Sequence, residues 1–253
     1  MKSVILAAAL VLGFGTAGVA QANEGVELPQ QSWPQAGPFG RIDQKQAQRG
    51  FQVFKEICAN CHALGLVPYR ALKGIGFTAD QVKEIAAAAQ VTDGPNDQGE
   101  MFQRPGKPSD RFVKPFANEK AAAAANGGAA PPDLSVIVKA RLGAENYIAA
   151  LLTGYPDEPP AGAQVPEGKY YNKYFPGHAI GMPKMLFDDS VTYADGTKAT
   201  ALQEAKDVAT FLSYVSEPTQ DERKGLGAKV ILFLLVFAGL MYGCKRQLWA
   251  GLH

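Results

Sequence analysis

Cys58 and Cys61 stand three positions apart, with His62 directly behind them. Two thiols on one helical turn can each add across a vinyl group of a porphyrin. The adjacent imidazole then lies against the porphyrin face and can ligate its iron, so Cys-x-x-Cys-His is the attachment pattern of a c-type haem. The same thiols could also serve as a redox dithiol or as half of a zinc site. The remaining residues weigh against zinc. The only other cysteine is Cys244, inside an apolar run, and the only other histidines are His178 and His253. A four-ligand zinc site would be short of soft ligands.

If His62 is the proximal iron ligand, a second ligand must come from elsewhere. His178 would give a bis-histidine centre, whereas a thioether would give a His/Met centre of higher potential. Met182 sits between Gly181 and Pro183, on stiff irregular backbone, and Met185 follows three residues later. From the residues alone Met182, Met185 and His178 all stay open, since a methionine can equally fill a gap in a core. Arg141 and Tyr147 could hydrogen-bond haem propionates, Arg141 by charge-assisted pairs. Either could equally be an ordinary surface or half-core residue.

The elements that must carry these groups read as mostly helical. Asp43 is a helix N-cap, and Phe51, Phe54 and Ile57 fall at helical spacing, so a helix over about 43–57 delivers the Cys-x-x-Cys-His run at its end. A short helix begins at Tyr69, and Thr78 or Asp80 caps another that runs to about Gln90. Residues 91–120 read as a long irregular excursion. The Gly- and Pro-rich stretch 126–132 excludes regular helix and lets backbone pass close to a flat ligand. Helices are then expected from Asp133 or Ser135 through Arg141, over 144–153, and over 200–217, where Pro218 ends the last one. Residues 170–177 form an aromatic turn.

The chain has 253 residues, 47% hydrophobic, with a formal net charge of +1. That balance argues against a nucleic-acid partner, which would need a basic surface. At the N-terminus Lys2, the apolar stretch 4–19 and the small-x-small pattern Ala20-Gln21-Ala22 read as a signal peptide over 1–22. A periplasmic domain over 23–224 follows. Residues 225–244 approach the length that spans a bilayer and contact its lipid, with Lys229 at one interface. Lys245, Arg246 and Trp249 beyond it place the tail 245–253 in the cytoplasm by the positive-inside rule. The expected location is thus the bacterial inner membrane, single-pass, with the globular part in the periplasm.

Several short runs occur in a fixed order. They are Cys58-x-x-Cys61-His62, Asn126-x-Gly128-x-x-Pro131-Pro132-Asp133-Leu134-Ser135, Leu152-Thr153-Gly154-Tyr155, Tyr171-Asn172-x-Tyr174-Phe175-Pro176-Gly177 and Met182-Pro183, before the terminal anchor. Together they resemble the cytochrome c1 family, the haem c subunits of cytochrome bc1 complexes, of bacterial type. The resemblance implies an all-α, class I cytochrome c domain with long irregular insertions plus one C-terminal transmembrane helix. It implies one haem c bound through Cys58 and Cys61, with His62 and Met182 on the iron and Asn126, Pro132, Arg141 and Tyr147 around the haem edge. It further implies cytochrome b and a Rieske iron–sulfur protein as partners, a soluble or tethered cytochrome c as acceptor, and a place in a dimeric complex. The chain would then be an electron carrier within a ubiquinol–cytochrome c oxidoreductase. Two other readings are a free membrane-anchored cytochrome c shuttle and a thiol-redox or zinc-binding module. Some bacterial relatives carry a disulfide before the methionine. This chain has no cysteine there, and Tyr170, Tyr171, Tyr174 and Phe175 are expected to hold that loop instead. Whether Asp157, Glu158, Glu167, Asp188 and Asp189 form one docking patch is left open by the sequence.

Overall fold

The computed structural model describes residues 26–251, so the expected signal peptide lies outside the described residues. Among the described residues six α-helices follow in chain order: α1 (Gln44–Glu56), α2 (Ala79–Ala87), α3 (Glu119–Ala125), α4 (Ala144–Thr153), α5 (Ala201–Ser216) and α6 (Gln220–Trp249). Short 3-10 turns cover Cys58–Asn60 and Tyr69–Ile75. Strands β1 (Gln90–Asp93) and β2 (Phe102–Pro105) pair antiparallel, as do β3 (Tyr170–Tyr171) and β4 (Ala179–Ile180).

The core forms where α1 crosses α5. Asp43 caps α1 by accepting the Gln46 amide at 3.0 Å, and Thr200 caps α5 through the Gln203 amide at 3.2 Å. Such caps satisfy donors that a helix start would otherwise leave unpaired. Phe51 and Phe54 of α1 meet Phe211 of α5 at centroid separations of 5.6 and 5.7 Å. Gly50 allows that close crossing: a Cβ there would stand 1.9 Å from the Asp207 carbonyl oxygen. Beside the aromatics, the Arg49 guanidinium bonds buried Asp207 at 2.9 Å and Asp195 at 2.8 Å. Removing Arg49 would strand a buried carboxylate, which costs far more than an exposed pair contributes. The α4 helix packs on the same α5 helix.

Three expectations need correction. Residues 91–120 are not wholly irregular: they hold the β1–β2 hairpin and the start of α3, capped by Asn118. Asp93 and Asp110 both bond Arg104 and brace the hairpin, a cross-strand device that local helical periodicity does not reveal. The chain is thus mostly helical rather than strictly all-α. The helix expected from residue 133 or 135 to 141 is a series of turns, because the Asp133 and Ser135 side chains bond backbone amides and compete with a helical ladder. Beyond Pro218 the chain soon turns helical again, since α6 begins at Gln220.

The α6 helix has 30 residues, about 45 Å at helical rise, and none of them is buried. It is long and apolar enough to cross a membrane. Its first turn is fastened to the globular part. The Lys224 ammonium donates to the carbonyls of Gln35 and Gly40 at 2.6 and 3.1 Å, and the Gln220 amide also reaches Gln35. The Asp221 carboxylate accepts the Ile42 amide at 3.3 Å.

Candidate haem site

The α1 helix ends at Glu56, and the chain tightens into the Cys58–Asn60 turn. The Asn60 side chain donates to the carbonyls of Glu56 and Ile57, covering groups left open at the helix end. The amides of Cys61 and His62 both donate to the Cys58 carbonyl, at 3.1 and 2.8 Å. One tight turn therefore fixes both thiols and the imidazole. Cys58 and Cys61 are free thiols rather than a disulfide. Burial pushes the Cys58 thiol up to about 12. A catalytic dithiol draws instead on a lowered thiol pKa. Among the described residues no three His, Cys, Asp or Glu side chains gather as a metal cluster.

His62 Nδ1 lies 2.8 Å from the Pro132 carbonyl oxygen. A carbonyl can only accept, so Nδ1 carries the proton and Nε2 keeps the lone pair a metal needs. Burial holds the imidazole below its ordinary pKa, against the Pro132 bond and the Asp133 charge, which favour the proton. The segment bearing Pro132 is laced to the residues after His62. The Leu134 amide donates to the Ala63 carbonyl at 2.8 Å, and Asp133 and Ser135 accept the Gly65 and Leu66 amides at 2.8 and 3.1 Å. A cleft of about 500 Å³ opens beside this seam, bounded by Cys61, Ala63, Phe116, Ala122, Pro131 and Pro132.

Upstream, the Asn126 side chain donates to the Ala122 carbonyl at 2.7 Å and closes the end of α3. Gly127 and Gly128 then take positive φ of +60° and +86°, with nothing within 4 Å of where a Cβ would stand. That glycine turn leaves room beside it for a flat ligand. The turn also touches the methionine loop: a Cβ on Gly181 would lie 3.0 Å from Ala129 Cβ. Met182 is half-buried, and its carbonyl accepts the Tyr155 hydroxyl at 2.8 Å. Burial pushes the Tyr155 phenol up to about 12, so it stays a donor. Free thiols in one turn, an imidazole of fixed tautomer, and open space beside the glycine turn all fit a covalently held haem.

Other expected residues are placed as follows. Arg141 is exposed but lies against buried Tyr147; burial raises that phenol and the guanidinium opposes the rise. His178 is exposed at φ +58° and stacks on Tyr171 at 5.5 Å. Its Nδ1 lies 3.2 Å from the Asn172 carbonyl, and the ring borders a different cleft, one lined by residues 26–30. Met185 is half-buried. Asp188 is engaged locally, since its carboxylate accepts the Ala201 amide at 2.9 Å.

Four supporting residues stand in the quoted motifs but were given no role at the site from the sequence: Asp133 and Ser135 as tethers, Tyr155, and Asn172. Asn172 is fully buried. Its amide nitrogen donates to the Leu151 carbonyl at 2.8 Å, and its oxygen accepts the Tyr174 and Phe175 amides at 3.0 and 3.1 Å. Tyr174 packs against Gly154, where a Cβ would meet its ring at 2.7 Å. Tyr170, by contrast, is exposed, so the expected aromatic clasp is centred instead on Asn172. Asp-x-Ser spacing, a common turn device, was a legible signal for the tethers. No local signal showed that Asn172 would be buried.

Comparison with known proteins agrees with this geometry. The Cytochrome C1 family profile matches residues 33–252. Cytochrome c1 of Rhodospirillum rubrum is 51% identical, covering 98% of this chain and 97% of that one. Cytochrome c1-2, heme protein, mitochondrial, of Solanum tuberosum is 52% identical over 94% of this chain and 91% of its own length. The Candida albicans cytochrome b-c1 complex catalytic subunit, mitochondrial, is 50% identical over 90% of this chain and 79% of its own. With a family match that spans the haem-attachment turn, the glycine turn and the apolar terminal helix, the chain belongs to the cytochrome c1 family.

Proposed function

We propose that this chain is the membrane-anchored haem c electron-transfer subunit of a cytochrome bc1 complex. It takes an electron from a Rieske iron–sulfur protein and passes it to a cytochrome c. Cytochrome b and the Rieske protein are its complex partners, within a dimeric assembly. Oxidoreductase activity belongs to the complex, and this chain is a carrier within it. The carrying observation is the bond between His62 Nδ1 and the Pro132 carbonyl, which sets the tautomer of a residue directly behind two free thiols.

Cys58 and Cys61 would hold the haem covalently, while His62 and Met182 would supply the axial imidazole and thioether. Asn126, Pro132, Arg141 and Tyr147 would line its edge. The haem, when bound, supplies one-electron redox chemistry between ferric and ferrous iron. This chain's own residues do the positioning. Pro132 fixes the imidazole, and Tyr155 holds the Met182 backbone. Arg141 offers a fixed cation for a propionate.

The span 225–244 crosses the inner membrane, with residues 23–224 in the periplasm, residues 245–253 in the cytoplasm, and 1–22 a cleaved signal. The fastened start of α6 favours a complex subunit over a tethered shuttle. A shuttle needs a flexible link to reach its partners, whereas here Lys224, Asp221 and Gln220 bind the anchor to residues 35–42.

Met182→Leu is expected to leave haem covalently attached and to lower the midpoint potential, because the lost thioether favours ferrous iron. Quinol–cytochrome c turnover should fall sharply. An unchanged redox titration would move the ligand assignment to Met185 or His178. A colourless wild-type protein would return the reading to a dithiol or zinc module. Copurification of cytochrome b and a Rieske protein tests membership of the complex.

A further inference from the structure

We propose that Asp133 and Ser135 are positioning residues for the proximal imidazole, acting through the Pro132 carbonyl; the inference rests on the haem reading above. Proline has no N–H, so Pro132 cannot anchor itself by a backbone donor of its own. Its neighbours must fix where its carbonyl points. Asp133 spans two segments with its two oxygens. Oδ1 accepts the Ser135 amide at 2.8 Å, and Oδ2 accepts the Gly65 amide at 2.8 Å. Ser135, which is buried, accepts the Leu66 amide at 3.1 Å, and Leu134 donates to Ala63. Residues 132–135 are therefore stitched to 62–66 in one register, with the His62 bond as the first stitch.

Gly65 shows how tightly the seam is drawn. Its amide goes to Asp133, its carbonyl accepts Arg111 Nη1 at 3.2 Å, and a Cβ there would stand 2.9 Å from Asp133 Oδ2. The seam is carried by a carboxylate, and charge-assisted bonds to backbone amides are the stronger kind. Groups that orient a ligating imidazole also raise its basicity. A looser Pro132 carbonyl leaves His62 a poorer donor, which favours ferrous iron and raises the midpoint potential.

Asp133→Asn isolates the tether. One oxygen remains for the local turn to Ser135, but the amide group then presents N–H toward the Gly65 N–H. The full chain is purified in its complex, stained for covalent haem, titrated for potential, and followed by hydrogen exchange with mass-spectrometric peptides. The expected result is a raised potential, with exchange at Gly65 and Leu66 about tenfold faster while peptides of α5 around Phe211 stay as in wild type. Gly65→Ala, which crowds the same carboxylate without altering it, should move both readouts the same way and serves if the first variant does not mature. A potential that does not move, or exchange that rises equally at Phe211, would show a merely structural role and overturn the inference. Absence of covalent haem in the wild-type chain would instead overturn the haem reading, and this inference with it.

Discussion

The two sides of the site are built by opposite means. On the His62 side, a continuous seam of backbone bonds joins residues 62–66 to 132–135, and each bond has neighbours that share its load. On the Met182 side, one hydroxyl from Tyr155 holds the backbone, and one buried side chain, Asn172, knits the preceding turn. The first arrangement is redundant along the chain. The second concentrates its support in single residues reached across long sequence gaps. Outside Asp133, whose two oxygens hold two stitches at once, losing one contact should therefore be mild for the fold on the histidine side and severe on the methionine side.

The largest effect is expected at Asn172. Asn172→Ala removes three hydrogen bonds from a fully buried position and orphans the Tyr174 and Phe175 amides, while the Leu151 carbonyl keeps only the longer bond from the Gly154 amide at 3.4 Å. With about 1–3 kcal/mol for each buried group left unpaired, the loss should reach about 3 kcal/mol or more. Thermal unfolding of the purified full chain measures it. A loss near that of a surface substitution would mean that the turn is held by its aromatics after all, and the contrast would fail.

This asymmetry also explains what the sequence disclosed. The Cys58-to-His62 run is legible because a covalent attachment needs fixed spacing along one turn. The α1, α4 and α5 helices are legible because their apolar residues recur at helical period, and Asp43, Thr78 and Thr200 mark starts by side-chain chemistry. The β1–β2 hairpin was hidden because its strands are only four residues long and mostly exposed, so no alternation shows. Residues 134–141 misled because their apolar spacing suits a helix while Asp133 and Ser135 spend backbone amides elsewhere. The role of Asn172 was hidden for a simpler reason. A buried asparagine is distinguished from an exposed one only by distant partners such as Leu151.

A middle-sized effect should come from Tyr155→Phe. It deletes only the hydroxyl that donates to the Met182 carbonyl. The net contribution of such a bond is about 1 kcal/mol, close to a fivefold change in an equilibrium. If Met182 is the axial ligand, as proposed, added imidazole or cyanide should then displace its thioether about fivefold more readily in a spectral titration. The same titration of a histidine-side variant, Ser135→Ala, should change less, because its neighbours keep the seam closed. Equal responses would erase the proposed difference between redundant and concentrated support.

The smallest effect belongs to the far end of the histidine-side segment, where Lys139 bonds Glu217 at 2.8 Å and Arg223 of α6 bonds the same carboxylate. Those hydrogen bonds pull the Glu217 carboxyl down to about 2 from its ordinary 4.5. The folded state therefore binds this proton less readily than the unfolded state does. Its stabilising contribution is present in full above about pH 4.5 and is lost as pH falls toward 2. Both cations are largely exposed, so solvent screening keeps the effect well below that of Asn172→Ala. Glu217→Gln should lower the unfolding midpoint slightly at pH 7 and leave it closer to wild type at pH 3, with the gap narrowing across that window. A gap that stays constant between those two pH values would show that Glu217 acts by packing rather than charge. The ionic closure would then drop out of the redundancy claimed for that side.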